Sequence, residues 1–301
     1  MKKKIKGSLA KPEPSVIVAA AALSLCALLP LRVYQVSALI DPETGFFTQS
    51  SFTVPLFYVL LSVVVIAVMV TSYLNDKAGR ARDLTVKSKP LGIVSAITAF
   101  TLMFDAVYQM YSYIEIKAEY NPMTEQLTQS QYLSKSGATI MLFQAVFGVF
   151  AAFFFWIYTV ACFSGKTKLK GYKLLSIAPI LWAICRIIIR FIRKISFVNI
   201  SDLLLELFML VFIITFTLAF AQVVTKVTPE IVAWRLYGCG IPAALLAFLV
   251  SVPRLFLIII GHADSLVPNY GFNPCDLAFA LFIPMFLYNT ATAKKAEESK
   301  A

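Results

Sequence analysis

Charge is scarce in this chain: charged residues make up 14% of it, whereas about 25% is usual for soluble domains. Hydrophobic residues make up 59% of the 301 residues. They come in runs of about 20, the length that crosses a bilayer as a helix. A large soluble core does not need so many long uncharged runs. The sequence therefore predicts an all-α, polytopic membrane protein whose surroundings are the lipid bilayer.

Histidine is nearly absent, and the cysteines are not clustered. The chain has 1 histidine, His262, and 5 cysteines that are scattered singly. No spacing therefore suggests a zinc site or a disulfide framework. The chain also lacks HExxH, GxSxG and GxxxxGK[ST] motifs. We predict no catalytic residue, no metal, no cofactor and no ATPase domain, which argues against an enzyme without excluding one.

Basic residues outnumber acidic ones, with a formal net charge of +11. This excess could suggest nucleic acid, but most of the basic residues lie in short segments between apolar runs, as membrane topology requires. No basic stretch carries the interleaved aromatic residues of single-strand binders. The sequence therefore predicts no nucleic-acid partner.

The apolar runs predict eight spans in a single transmembrane domain, 15–290. A basic segment, 1–14, precedes this domain, and a charged tail, 291–301, is predicted to be disordered. The first apolar run is longer than the apolar region of a signal peptide, so we interpret it as a retained first helix. The predicted spans are 15–38, 54–74, 91–113, 138–163, 173–194, 201–224, 237–261 and 274–290.

The distribution of Lys and Arg between the loops predicts the orientation. Nineteen of these residues lie on one side of the eight spans and four on the other. By the positive-inside rule, the richer side is cytoplasmic. We therefore predict that both termini are cytoplasmic, as an even number of spans requires, and that the protein resides in the plasma membrane.

Two charged helical faces follow one another in spans five and six. Arg186, Arg190 and Arg193 recur at i, i+4 and i+7, which places them on one face of a helix. Reflection across an antiparallel hairpin pairs Arg193 with Asp202 and Arg190 with Glu206. We interpret these as structural ion pairs, since intramembrane charges usually pair with one another.

The same reflection leaves Arg186 opposite Met209, without an acid. Arg32 and Arg254, on the first and seventh spans, are the other arginines within spans. These three lie roughly 9–12 Å below the outer surface, at about 1.5 Å per helical residue. Charged and polar residues at one level predict an outward-facing polar chamber with these ligand-binding residues: Arg32, Gln35, Asp105, Gln109, Arg186 and Arg254.

The charge count indicates the kind of ligand. Four arginines within the spans face Asp105 and Glu206 only, once Asp202 is assigned to Arg193. The surplus of two positive charges predicts a small anionic or zwitterionic solute. The alternative is that individual arginines extend to lipid headgroups, where their charge costs little.

Three functional hypotheses are compatible with these patterns. The first is a transporter, or the membrane component of a transport system, with an outward-facing site for the solute. The second is a sensor or accessory subunit that binds a ligand or partner through its outer loops without transport. The third is an intramembrane enzyme that acts on lipid. The sequence names neither the solute nor a partner subunit.

Overall fold

The eight predicted spans are all helical in the computed structural model. Eight helices of the described residues are long and apolar enough to cross a membrane, and no strand occurs among those residues. The predicted all-α bundle of eight apolar helices is therefore confirmed, and which side each terminus faces stays a prediction. The structure describes residues 14–41, 46–75, 88–122, 127–165, 169–192, 200–227, 233–266 and 271–298.

The helices follow the apolar runs because a backbone in lipid must satisfy its own hydrogen bonds. Eight long helices form the bundle, and the short α4 lies between α3 and α5 in the chain. In chain order the helices are α1 (Pro14–Tyr34), α2 (Thr53–Asn75), α3 (Lys89–Glu119), α4 (Gln129–Lys135), α5 (Ala138–Ser164), α6 (Ala178–Ile192), α7 (Ile200–Val224), α8 (Ala233–Ile259) and α9 (Pro274–Glu298).

The ends of α3 and α9 differ most from the sequence prediction. Helix α3 continues to Glu119, beyond the predicted end at 113, and α9 continues to Glu298. The tail predicted to be disordered is therefore helical over most of its length. Its Ala-Lys-Glu composition explains the difference, since these residues are strong helix formers even where they carry charge. Residues 1–13 of the predicted basic segment lie outside the described residues.

Helix α8 is the centre of the bundle. It packs against α1, α2, α7 and α9, whereas α3 and α5 form the most extensive helix pair. In the apolar 18-residue stretch of each helix, 72% of the residues of α8 are buried, compared with 22% for α1 and 17% for α2. The first two helices are therefore peripheral, although all eight long helices contribute buried side chains to one hydrophobic core.

An aromatic core fills the middle of the bundle between α5, α7 and α9. Phe220 is its most connected member, with ring centroids 4.9 Å from Phe286, 5.1 Å from Tyr158 and 5.4 Å from Phe282. Most of these pairs are edge-to-face, the geometry that the ring quadrupole favours. The aromatic core comprises Phe154, Phe155, Tyr158, Phe216, Phe220, Phe279, Phe282 and Phe286.

Candidate functional site

The end of α1 changes its helical pitch where the first predicted site residues lie. A single π-helical turn, Gln35–Leu39, follows Pro30 and Arg32. The Arg32 Nη1 donates to Gln35 Oε1 at 3.2 Å, and Gln35 Nε2 donates to the Thr53 carbonyl at 3.1 Å. Turns of this kind are frequent at functional sites because they re-aim side chains. Here the turn holds Arg32 and Gln35 in the interior.

Arg32 forms its ion pair with a helix that is distant in sequence. Its Nη2 binds Asp202 Oδ1 on α7, and Asp202 Oδ2 also lies 4.0 Å from Arg254 Nη2 on α8. The predicted partner of Asp202, Arg193, lies outside the described residues. Asp202 therefore connects α1, α7 and α8, and is shared by two arginines that the sequence had left without a carboxylate.

Glu206 is the hub of the charged residues. Its Oε1 lies 2.7 Å from Arg190 Nη2 and 3.3 Å from Arg186 Nη2, and its Oε2 lies 3.5 Å from Arg254 Nη2. The Glu206 side chain is fully buried. One carboxylate from α7 thus binds guanidinium groups from α6 and α8, as a buried charge requires if its loss of hydration is to be offset.

Arg186 also has a carboxylate partner of its own. Its Nη1 and Nη2 donate to Asp276 Oδ1 at 2.5 Å and to Oδ2 at 3.1 Å, a two-pronged pair across α6 and α9. The prediction that Arg186 has no acid in the α6–α7 hairpin is therefore wrong, because Glu206 reaches it and Asp276 adds a second acid. Asp276 was missed because the hairpin reflection compares only α6 with α7, whereas Asp276 lies in the first turn of α9.

These contacts define one connected arginine network and correct the predicted surplus of two positive charges. Asp202 and Asp276 supply two carboxylates that the sequence count did not assign to these arginines. Four guanidinium groups therefore meet three carboxylates, which leaves a surplus of one. The network consists of Arg32, Arg186, Arg190, Arg254, Asp202, Glu206 and Asp276.

Asp105 on α3 stands apart from this network. Its Oδ2 accepts from Trp182 Nε1 at 2.8 Å and from Gln144 Nε2 at 2.9 Å. Its Oδ1 accepts from Gln109 Nε2 and Asn273 Nδ2, both at 3.4 Å. Among the residues that the structure describes, no basic side chain forms an ion pair with Asp105. With Asp105 included, four carboxylates balance the four arginines.

A polar pocket of about 500 Å³ opens between α3, α5, α6 and the segment before α9. This volume is within the range of small-molecule sites. The pocket has carboxylate, amide, hydroxyl and guanidinium groups on its wall. Its lining residues are Phe104, Asp105, Tyr108, Gln109, Ser112, Gln144, Arg186, Ile189, Arg190, Gly271, Phe272, Asn273 and Pro274.

The polar pocket brings together only half of the six predicted ligand-binding residues: Asp105, Gln109 and Arg186. The other three, Arg32, Gln35 and Arg254, lie in or beside the arginine network and do not line the pocket. Their assignment as ligand contacts stays a prediction. They support the pocket indirectly, since Arg254 and Arg186 share the Glu206 carboxylate.

Several pocket residues were missed by sequence reasoning. Gln144 is a lone amide inside the apolar run of α5, a signal that could have identified it. Asn273 gave no such signal because it lies in a loop. Its Oδ1 accepts from the Cys275 backbone N–H at 2.8 Å and caps α9, while its amide nitrogen donates to Asp105. Asn273 thereby couples the start of α9 to the pocket.

Trp182 connects the charged end of the bundle to the aromatic core. Its indole N–H donates to Asp105, and its ring stacks on Phe279 at 5.7 Å. The Arg186 guanidinium lies 5.1 Å from the same ring, one helical turn further along α6. Trp182 therefore contacts Asp105 through its N–H and Arg186 through the face of its ring.

The pocket has the chemistry of a binding site for a small polar molecule. Within the ranges described, no group of three His, Cys, Asp or Glu side chains could hold a metal ion. Hydrogen-bond donors and charges of both signs meet there instead. No protein-family model, curated protein or solved structure matches this chain, so its function has to be argued from the chemistry of the site.

Proposed function

We propose that this multi-pass membrane protein is a transporter, or the membrane component of a transport system, and that its small anionic or zwitterionic solute binds in the polar pocket. The observation that carries the proposal is the juxtaposition of Arg186 and Arg190 on the pocket wall. They belong to a network with one more guanidinium than carboxylate, so an anionic group of the solute completes its charge balance.

Arg190 is the principal anion contact in this proposal. Its side chain is 17% exposed, more than that of Arg186 at 5%, Arg254 at 4% or Arg32 at 2%. A planar guanidinium presents donors in a fork that matches carboxylate and phosphate oxygens. Glu206 keeps Arg190 in position, and Arg190 also lines the pocket.

The location of the pocket also suits a transporter. It lies at one end of the bundle, where α3 and α6 end and α5 and α9 begin. A π-helical turn follows α1, and two prolines lie within α8. Such helices often surround transporter sites. Under the predicted orientation this end is outside the cell, and the pocket would then receive solute from there.

A second candidate function is favoured by the aromatic core. Trp182 and Phe279 are fully buried and stacked directly beneath Asp105, with no polar side chain among the rings of the aromatic core except Tyr158. Solute could pass only if this packing opened. A receptor or accessory subunit would need no such movement and would bind the solute without releasing it on the other side.

Purified full-length protein in sealed liposomes tests both candidates. The vesicles would be incubated with a mixture of isotope-labelled amino acids, dicarboxylates and inorganic phosphate, and their contents measured by mass spectrometry. We expect protein-dependent accumulation of at least one compound, reduced roughly tenfold or more by Arg190→Gln, since a lost charged hydrogen bond typically costs that much.

Arg235→Gln is the matched control. Arg235 lies at the start of α8, whereas Arg254 lies near its other end, and the Arg235 guanidinium is 5.7 Å from the Trp234 ring. This substitution should leave accumulation unchanged. Accumulation that survives Arg190→Gln at the wild-type rate contradicts the proposed site. Saturable binding without accumulation favours the receptor.

A further inference from the structure

The polar pocket has two charged poles on its wall: Arg186 and Arg190 are positive, and Asp105 is negative. Asp105 is 4% exposed and is bound by amide and indole N–H groups alone among the described residues. Neutral donors stabilise a carboxylate but do not neutralise it. An ion removed from water without a counter-charge is costly, and a cation in the pocket would offset that cost.

The two oxygens of Asp105 are not equivalent. Oδ2 is fully engaged by two short hydrogen bonds, at 2.8 Å from Trp182 and 2.9 Å from Gln144. Oδ1 accepts only the two longer contacts of 3.4 Å, from Gln109 and Asn273, and both of these amides belong to the pocket wall. Since good N–H···O bonds cluster near 2.9–3.0 Å, Oδ1 retains capacity for a stronger donor.

The charges around the pocket add to the same conclusion. Among the described residues, the arginine network has one more guanidinium than carboxylate, and Asp105, outside that network, supplies a further carboxylate on the pocket wall. Trp182 donates to Asp105 through its N–H, and the Arg186 guanidinium, one helical turn further along α6, lies against the Trp182 ring. A molecule that carries both charges can therefore satisfy both poles at once, whereas a simple anion would leave Asp105 without a counter-ion.

We infer that the polar pocket binds a zwitterion, with a primary ammonium group on Asp105 Oδ1 and a carboxylate on Arg186 and Arg190. This rests on the proposed function and deepens it, because it narrows the solute to a small amino acid or a similar compound. An ammonium group donates three hydrogen bonds and forms short charge-assisted contacts of about 2.7–2.9 Å with a carboxylate. The Gln109 and Asn273 amides, which donate to Asp105 in the structure, would then lie beside the ligand instead.

The test compares ligands that differ in one charge. Full-length protein in detergent is titrated with three pools: free α- and ω-amino acids, their N-acetyl derivatives, and their carboxyl amides. The shift of the thermal midpoint with concentration reports the apparent affinity. We expect the free amino acids to stabilise the protein, and both derivatives to bind roughly tenfold to a hundredfold more weakly, since each lacks one charge-assisted contact.

Asp105→Asn sharpens the test, with Asp264→Asn as the matched control. Asp264 is an exposed acid in the segment between α8 and α9. We expect Asp105→Asn to bind the free and N-acetylated pools equally, and Asp264→Asn to discriminate like the wild type. The comparison of ligands on the wild type decides the question even if Asp105→Asn does not fold.

The outcomes separate this inference from the proposed function. If N-acetylated compounds bind the wild type as well as free amino acids do, the ammonium site is overturned, while the anion site of the proposed function stands. If no pool stabilises the protein, the zwitterion inference is overturned, and the liposome assay with dicarboxylates and phosphate then decides the proposed function on its own. If sodium chloride, compared with choline chloride, stabilises the wild type but not Asp105→Asn in the absence of any pool, Asp105 binds a metal cation instead and the ammonium assignment is wrong.

Discussion

Two residues of α7, Glu206 and Phe220, organise two different regions of this protein. Glu206 contacts three arginines, and Phe220 contacts six aromatic rings of the aromatic core. They lie fourteen residues apart, about 21 Å along the helix axis. Ion pairs therefore stabilise the arginine network, and ring packing stabilises the aromatic core. Helix α7 contributes to both.

This difference determines how each region responds to damage. A contact in the aromatic core is one of many small attractions, and its loss is shared among neighbouring rings. A carboxylate in the arginine network offsets the buried charge of several partners, so its removal leaves those charges unbalanced. The polar end of the bundle should consequently be less tolerant of substitution, although it contains fewer contacts.

The largest effect is expected for Glu206→Gln. The substitution keeps the shape of the side chain but leaves three guanidinium groups, two of them buried, without their shared counter-charge. Breaking a buried pair in this way costs about 3–5 kcal/mol in unfolding free energy. The measurement is unfolding in mixed micelles with increasing denaturing detergent. Glu115→Gln, at an exposed position of α3, should have little effect, and equal losses for the two variants would refute the role of Glu206 as a hub.

An intermediate effect is expected for Phe220→Ala. Such truncations cost about 3–5 kcal/mol in water-soluble proteins, but part of that is transfer from water. In a bilayer, apolar side chains gain nothing by leaving lipid, which leaves the cavity and the lost packing. We therefore expect a loss of about 2–3 kcal/mol in the same assay. Phe256→Ala is the control, because Phe256 is 43% exposed. A larger loss for Phe220→Ala than for Glu206→Gln would reverse the comparison.

The smallest effect is expected where the two regions meet. Trp182→Phe preserves a ring beside Phe279 but removes the N–H that binds Asp105 at 2.8 Å. Hydrogen bonds to charged groups contribute about 1.5–3 kcal/mol. Asp105 keeps three other donors, so we expect a destabilisation at the lower end, about 1.5 kcal/mol. Trp156→Phe, at an exposed aromatic position of α5, serves as the control and should change stability less. Identical stabilities of the two variants would show that the Trp182 N–H contributes nothing.

The fold was predictable because lipid acts on each span separately. The length and apolarity of a single run determine whether it forms a membrane helix, so the eight spans followed from local sequence alone. The exceptions are instructive. Helix α9 continues through the charged segment after 290 because Ala, Lys and Glu favour helix even where they carry charge.

The candidate site was only partly predictable. Helical spacing correctly indicated that Arg186 and Arg190 share a face, and the structure places Glu206 beside both. Reflection across a hairpin compares only two neighbouring helices, however. It could not find Asp276, which reaches Arg186 from 90 residues away, or Gln144, which reaches Asp105 from another helix.

The amino-acid sequence by itself determined the helical class, the number of spans and the presence of costly charges within them, since each of these depends on neighbouring residues. The choice of partners was decided only by the tertiary structure, because it depends on which helices pack together. Arg32 meets Asp202 across 170 residues, and this contact, together with that of Asp276, reduces the predicted surplus of two positive charges to one in the arginine network, with Asp105 outside it. Long-range packing, and not composition, therefore gives the polar pocket its two poles.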